Sequence, residues 1–333
     1  MYHIILLLFF ISACHSNNNE APKSIGAAIE VTDFRGQTIS LEAPAKRIVC
    51  LIESALSGLY MLGVEDRIVG ISTNVYTDNT APQYAALDPR IKKRELSAPG
   101  NWDFVSQEGV IALRPDLVIM WASQTEAINA LEAKGIPVYG VMLHSIDDVY
   151  KEIKNLGKLT ATCDRADSII AFTRAQVASV AELTASFEER KKIYFMWAQG
   201  SLSTSGQNST VNELIELAGG VNVCTAKEEH LIVNLERLIE WNPDIIVMWY
   251  NELKNPEDIL SMPGWQSINA IKNKNVYELP SVFYYDLWTL KFPHAVQLLA
   301  TWAYPELLDY MNLDELKKEM MLYLYGEKGE ALL

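Results

Sequence analysis

EGVIALRPDLVIMW (Glu108–Trp121) is answered further along the chain by ERLIEWNPDIIVMW (Glu236–Trp249), every aligned pair lying 128 residues apart. Each copy opens on an acid and a short stretch at helical spacing, meets Pro115 or Pro243, and then runs into an apolar segment. Proline lacks an N–H and clashes with the preceding turn, so the helix must stop there. The runs Leu117–Trp121 and Ile245–Trp249 are apolar throughout, as suits a parallel strand covered on both faces. Two copies of one helix–turn–strand unit predict two lobes of similar α/β build.

The flanking sequence extends this pattern. Arg47–Leu51 and Lys192–Trp197 read as the opening strand of each lobe. Helical stretches follow, Ala55–Leu62 ending at Gly63 and Val211–Leu217 ending at the Gly219–Gly220 pair. Val138–Met142 and Val276–Leu279 read as later strands, and strands alternating with helices imply parallel sheets. Between the lobes, from Ser145 to Lys192, there is no strand signal. Ser145 with Asp148 three residues on is a capping start, and Ile169, Ile170, Val177, Val180 and Leu183 fall at helical spacing. This region is read as one long helix, with Thr162 as its candidate break. A helical connector is stiffer than paired strands, which implies a small closure on ligand.

The chain has 333 residues, with 28 basic against 42 acidic side chains and a net charge of −14. Two lobes suit that length. The charge argues against a nucleic-acid partner, which needs a basic surface to neutralise phosphates. At the amino terminus, Ile4–Ile11 is too short to span a bilayer and has the length of a signal-peptide core. No Lys or Arg precedes it. The following Ile11-Ser12-Ala13-Cys14 resembles a bacterial lipobox, in which Cys14 is acylated and becomes the first mature residue. Cys50, Cys163 and Cys224 cannot all pair, lack metal-ligand spacing and read as small buried hydrophobes.

Several segments together resemble the periplasmic binding proteins for metal chelates, which serve ferric siderophores, haem and cobalamin. They are Val31–Ile39 with Ala45–Val49, Leu62–Ile71, the paired Arg114-Pro115-Asp116 and Asn242-Pro243-Asp244, and Thr204-Ser205-Gly206. The resemblance runs from about Val31 to Leu308. It implies two Rossmann-like α/β lobes joined by a long connecting helix, the class III architecture. The division expected is a lipoprotein signal peptide over 1–13, a flexible tether over 14–30, an amino-terminal lobe over 31–145, a connecting helical region over 146–190 and a carboxy-terminal lobe over 191–333. It further implies a lipid-anchored protein on the periplasmic face or cell envelope. Its partners would be a dimeric ABC permease with its ATPase, and it would hold a transported chelate, an Fe(III) complex first, with no permanent cofactor.

The resemblance assigns Glu108 and Glu236, one per lobe, to docking against arginines of the permease. By residue chemistry alone, an acid near a helix start complements the helix dipole. Ligands of open α/β sheets bind beyond the carboxyl ends of the strands. Glu53 and Ser54 after the first strand, Asn74 or Tyr76 after Ile71, and Trp102 are therefore cleft candidates. So are Trp121 and Trp197 at strand ends, and Asp286 and Trp288 in the late aromatic segment. A lone Trp at a strand end serves equally as core. His230 precedes Glu236 by six residues, in register with Trp102 before Glu108, so both should face the cleft. The resemblance suggests that His230 and a tyrosine of the late loop, Tyr285 or its neighbour Tyr284 with the register favouring Tyr285, complete an iron shell. Phenolate and imidazole suit Fe(III). The basic cluster that anionic siderophores need is not evident, and Asp286 and Glu53 leave room for cobalamin, haem or a nickel chelate. His144 and His294 read as hydrogen-bonding or capping residues. No Gly-x-Ser-x-Gly elbow, His-Glu-x-x-His or Walker loop marks an enzyme. A cleft enzyme and a lipid-anchored metallochaperone remain the rival classes.

Overall fold

The computed structural model describes residues 28–333; the expected signal peptide, Cys14 and most of the tether lie outside the described residues. A hairpin of β1 (Ile29–Thr32) and β2 (Thr38–Leu41) precedes the first sheet. That sheet holds β3 (Ile48–Cys50), β4 (Ile68–Ser72), β5 (Ser97–Gly100), β6 (Leu117–Trp121) and β7 (Val138–Val141), in the order β5-β4-β3-β6-β7, all parallel. In the carboxy-terminal half are β8 (Lys192–Met196), β9 (Ser203–Thr204), β10 (Val221–Asn222), β11 (Leu231–Ile232), β12 (Ile245–Met248) and β13 (Val276–Glu278). The second parallel sheet has the order β10-β8-β12-β13, and β9 pairs with β11 outside it. In both sheets the chain turns outward to one side and then to the other. The reversal falls between β3 and β6, and again between β8 and β12.

The helices of the first half are α1 (Glu53–Met61), α2 (Ala81–Leu87), α3 (Pro89–Lys92), α4 (Gln107–Ala112), α5 (Thr125–Glu132) and α6 (Ile146–Thr160). Those of the second are α7 (Cys163–Thr184), α8 (Thr210–Leu217), α9 (Leu235–Trp241), α10 (Pro256–Leu260), α11 (Asn269–Lys272), α12 (Phe292–Ala303) and α13 (Leu313–Tyr325). The sequence repeat is a structural repeat down to single bonds. Ser106 caps α4 and Asn234 caps α9. Just past each helix, Arg114 and Asn242 take the left-handed conformation, with φ of 48° and 45°. The aspartates after the prolines then accept from the start of the neighbouring strand. Asp116 receives Lys46 N–H and Arg47 N–H at 2.8 and 2.9 Å, and Asp244 receives Lys192 N–H at 3.0 Å. The Pro-Asp pair thus ends a helix and aligns two strands in each lobe.

The connector is broken beside Thr162, as its sequence suggested, but the break is a reversal. Ala161 adopts φ 55°, and the chain folds back so that α7 runs antiparallel to α6. The crossing is close: a Cβ at Gly157 would lie 2.6 Å from that of Ala166. Further along the pair, the Arg174 guanidinium lies 4.6 Å from the centre of the Tyr150 ring. α6 belongs with the first lobe, where Asn155 donates to Thr32 O and the Tyr139 hydroxyl, both at 3.0 Å. The 22-residue α7 packs on α12 and α8 and makes the crossing between lobes.

The carboxy-terminal segment departs from a simple two-lobe division. α13 packs on α1 and the terminal turn Gly326–Leu332 packs on α2, so the chain ends against the first lobe. The Tyr325 hydroxyl is 2.6 Å from Ser57 Oγ, and Lys328 pairs with Glu65. The segment crosses because its apolar face, Met320, Met321, Leu324 and Tyr325, is buried in one core with residues of both halves.

Candidate functional site

A cleft of about 700 Å³ opens at the carboxyl ends of the central strands of both sheets, where doubly wound sheets bind ligands. Each sheet's reversal supplies a wall. Ile52, Glu53 and Ser54 follow β3, and Trp121 ends β6. In the second lobe Trp197, Ala198 and Gln199 follow β8, and Trp249 follows β12. Trp197 lies nearly parallel to Trp288, at 11° and 6.1 Å between ring centres. Trp249 meets Trp288 edge-on at 5.7 Å, and the His230 ring is 5.1 Å from that of Trp197. The Trp197 indole N–H donates to Ser205 Oγ at 2.8 Å, which fixes the ring. Such a cluster offers a broad apolar face with little rotamer freedom to lose.

Among the described residues, the carboxyl groups of the cleft have no cationic counterpart in its lining. Glu53, Asp78 and Asp286 line it, and no Lys or Arg does so among the described residues. Burial pushes all three carboxyls above the ordinary range. For Asp286 the nearby Lys291 opposes that rise. Asp286 accepts Trp288 N–H at 3.0 Å, and its side chain is 18 % exposed. Lys291 is fully buried, and its Nζ stands 3.9 Å from Asp286 Oδ2, too far for a hydrogen bond. The ammonium instead lies over the Phe283 ring, 3.7 Å from its centre. Its value is pushed down to about 8 by desolvation. Among the described residues, the buried Glu53 Oε1 and Trp121 Nε1 have no partner. One acceptor and one donor are therefore available to a bound molecule.

Beneath this floor Glu152 is buried and reached by the Ser54 hydroxyl at 3.5 Å. Desolvation, then the nearby Asp286, pushes its carboxyl up to about 8. A carboxyl raised on folding contributes most to stability below its ordinary value of 4.5, and the contribution is lost as pH climbs to about 8. Lys291 has the opposite sign, but relief of its cost begins only above about 8. Buried His294, lowered from 6.5 to about 4, opposes the Glu152 effect up to about pH 6.5, so the melting temperature is expected to fall between about pH 6.5 and about pH 8. Glu152→Gln, which mimics the neutral acid, should flatten that profile and raise Tm at the upper end. Thermal scans of both proteins check this, and an undiminished slope in the variant would place the effect elsewhere.

Eight of the sequence-derived candidates come together here: Glu53, Ser54, Trp102, Trp121, Trp197, His230, Asp286 and Trp288. Asn74 and Tyr76 do not. Asn74 accepts from Asn101 at 3.1 Å, and the Tyr76 hydroxyl donates to Leu96 O at 2.8 Å, so both are used in holding loops. Their loop sends Asp78 and Thr80 into the cleft instead.

Tyr285 also lies away from the cleft. Its N–H bonds back to Ser281 O at 3.2 Å, a helix-like turn that places Val282, Phe283 and Asp286 on one side and turns residue 285 away. The Tyr285 ring stacks on the buried His294 at 4.6 Å, and Tyr284 donates to Leu332 O at 2.7 Å. Neither tyrosine joins His230, and no group of three or more His, Cys, Asp or Glu able to hold a metal occurs among the described residues. Burial pushes His294 down to about 4, and its Nδ1 is 3.3 Å from Gln297 Oε1. His144 bridges the lobes, with Nδ1 3.0 Å from Glu229 Oε2. Cys50 and Cys224 are buried, whereas Cys163 is exposed at the head of α7, because the chain reverses there.

Trp249 is the repeat partner of Trp121, and the reversal of the second sheet brings it into the cleft as well. Asp78 and Thr80 carry no pattern that separates them from other loop polars. Glu108 and Glu236 stand exposed in the first turns of α4 and α9 and form no ion pair among the described residues.

Two parallel-sheet lobes, a helical crossing and an aromatic cleft at both sheet reversals define a two-lobed solute-binding protein of the class III type. A sequence profile described as periplasmic binding protein matches residues 48–283, and the chain belongs to that family. It is 27% identical over 289 residues to an uncharacterised ABC transporter substrate-binding lipoprotein, YvrC of Bacillus subtilis, covering 84% of this chain and 86% of the relative. It is 24% identical over 326 residues to the molybdate-binding protein MolA of Haemophilus influenzae, covering 89% and 90%. The structure of Helicobacter pylori CeuE with Ni(II) bound superposes with a TM-score of 0.76 at 23% identity, covering 92% of this chain and 99% of that one. Other relatives are named as vitamin B12-binding and iron(3+)-hydroxamate-binding proteins. No helix among the described residues is long and apolar enough to cross a membrane.

Proposed function

We propose that the protein is the substrate-binding component of an ABC importer for a neutral or cationic metal chelate, with a corrinoid as the best-fitting cargo. The observation that carries this is the cleft's composition: tryptophan faces, three carboxyls and, among the described residues, no Lys or Arg in the lining. A ferric tris-catecholate bears net negative charge and would be buried against Glu53, Asp78 and Asp286, with only the buried Lys291 ammonium, 3.9 Å behind Asp286, to offset three carboxyls, which is costly. A corrinoid carries a cationic metal centre, a broad ring and neutral amide arms. The ring matches the indole faces and the amides match Glu53, Ser54, Thr80 and the free Trp121 N–H. The names of relatives support the importer class and leave the choice among chelates to this chemistry. Acylated Cys14 would hold the protein at the membrane. Glu108 and Glu236 would meet the permease, and the cargo would leave chemically unchanged.

The test is isothermal titration calorimetry with Trp fluorescence on the purified protein. The ligands are cyanocobalamin, haem, a ferric trihydroxamate, a ferric tris-catecholate, nickel–histidine and molybdate. Saturable binding of the corrinoid with weak or absent binding of the catecholate and molybdate is expected. Binding confined to the anionic complexes would overturn the charge argument, and weakening of it by His230→Ala would restore an iron-shell role to that residue. Binding of none would return the cleft enzyme and the metallochaperone to contention.

A further inference from the structure

The 128-residue register extends beyond the helix–strand unit to residues the fold leaves uncovered. Single exposed apolar side chains are ordinary on any protein surface. Here they recur in pairs. Phe104, 55% exposed, corresponds to Ile232, 82% exposed, and each stands two residues ahead of the cap of its lobe's helix. Ile111 at 38% corresponds to Ile239 at 37%, three residues beyond Glu108 and Glu236 and on the same helical face as the acid. Between them Val110 and Leu238, also in register, are fully buried. Burial and exposure thus follow the same order in the two lobes, from Phe104 to Ala112 and from Ile232 to Glu240, apart from Gly109 and its counterpart Arg237. The backbone supports the exposed residue in the first lobe. Gly100 pairs with Val105, Asn101 N–H reaches Phe104 O at 2.8 Å, and a Cβ at Gly100 would collide with that carbonyl. In the second lobe β11 pairs with β9 and holds Ile232 outward. On α9, Arg237 is occupied by Glu240 at 2.8 Å, which leaves Glu236 as the unpaired charge of its patch.

We infer that each lobe presents a mixed docking patch, Phe104–Glu108–Ile111 and Ile232–Glu236–Ile239. The partner it fits is a two-fold symmetric membrane dimer bearing, at each half-site, a cation beside an apolar pocket. This rests on the reading of the two acids as permease contacts and deepens it. The acids govern approach and orientation, while the apolar pairs are desolvated on contact and govern how long the complex lasts. Equivalent patches on one chain match equivalent surfaces on a dimer, so each half contributes comparably.

The test measures association and dissociation of the full-length protein on its permease–ATPase complex in lipid nanodiscs, at low and moderate salt. Phe104→Ser/Ile232→Ser is expected to dissociate at least about tenfold faster, with an association rate within about twofold of wild type and unchanged salt dependence. Each single variant should supply a similar share. Glu108→Gln/Glu236→Gln is expected to slow association and flatten its salt dependence. Cargo titration of every variant at wild-type affinity shows that the cleft is intact. Wild-type dissociation from the serine variant, with docking lost in the glutamine variant, would sink the apolar part and leave the acids standing. Wild-type kinetics in both would sink the docking reading itself. A wild-type chain that dimerises at micromolar concentration and stops doing so in the serine variant would assign the patches to a second copy, overturning the inference.

Discussion

Trp288→Ala should weaken cargo binding by about two orders of magnitude while leaving the protein folded. Trp288 is the ring that ties the aromatic wall together, nearly parallel to Trp197 and edge-on to Trp249. It is half-buried, so much of its face is free for a ligand. Withdrawing about 100 Å² of indole from a ligand contact is worth about 3 kcal/mol, or on the order of 100-fold in Kd. Trp197 stays fixed by its bond to Ser205, but the wall it shares with Trp249 loses its outer ring. Trp288→Phe retains a ring and should lose far less. Trp302, stacked on Tyr277 at 4.9 Å outside the cleft lining, is the control: Trp302→Phe leaves affinity unchanged. Calorimetric titration of the three proteins decides it. Wild-type affinity in the alanine variant would mean that the cargo sits elsewhere.

The second large effect concerns delivery. Glu108→Lys/Glu236→Lys should abolish import in cells while the purified protein binds cargo as before. Both acids are exposed and outside the cleft lining, so the cargo site has no reason to change. If the two acids meet cations of a permease as proposed, the reversal replaces two attractions by two repulsions, and like-charge juxtaposition in an interface costs several kcal/mol. Either single reversal leaves one lobe able to dock and should retain partial uptake. Radiolabelled cargo uptake beside a binding titration separates the two steps. Normal uptake by the double variant would remove these acids from the docking surface.

The repeat made the architecture legible because each of its residues does local work. Pro115 and Pro243 stop a helix, Arg114 and Asn242 turn the backbone, and Asp116 and Asp244 align a strand. The strand-end positions of Glu53, Trp121 and Trp197 followed from the same logic, since sheet reversals point there. What escaped depends on contacts far apart in sequence. The break beside Thr162 was legible, but that the chain doubles back at Ala161 was not, since no glycine marks the turn and the antiparallel packing rests on the close crossing of Gly157 and Ala166. The late loop reads as a tyrosine pair, yet the turn closed by Tyr285 N–H and Ser281 O sends Phe283 and Asp286 inward. Alternation along a strand is visible in sequence, whereas the facing of a single turn is not. Likewise the crossing of α13 depends on which cores its apolar face meets, and its own pattern is only amphipathic.

That returning segment bears on the order in which the molecule can be finished. Tyr325 and Leu324 cover α1 and Phe283, and Arg165 holds the carbonyls of Tyr323 and Leu324 together with that of Met61. A chain made amino end first therefore leaves part of its first lobe bare until residues 313–332 arrive. The lobe synthesised earliest thus waits for a segment made after the second, and a chain lacking that segment exposes an apolar flank prone to aggregation.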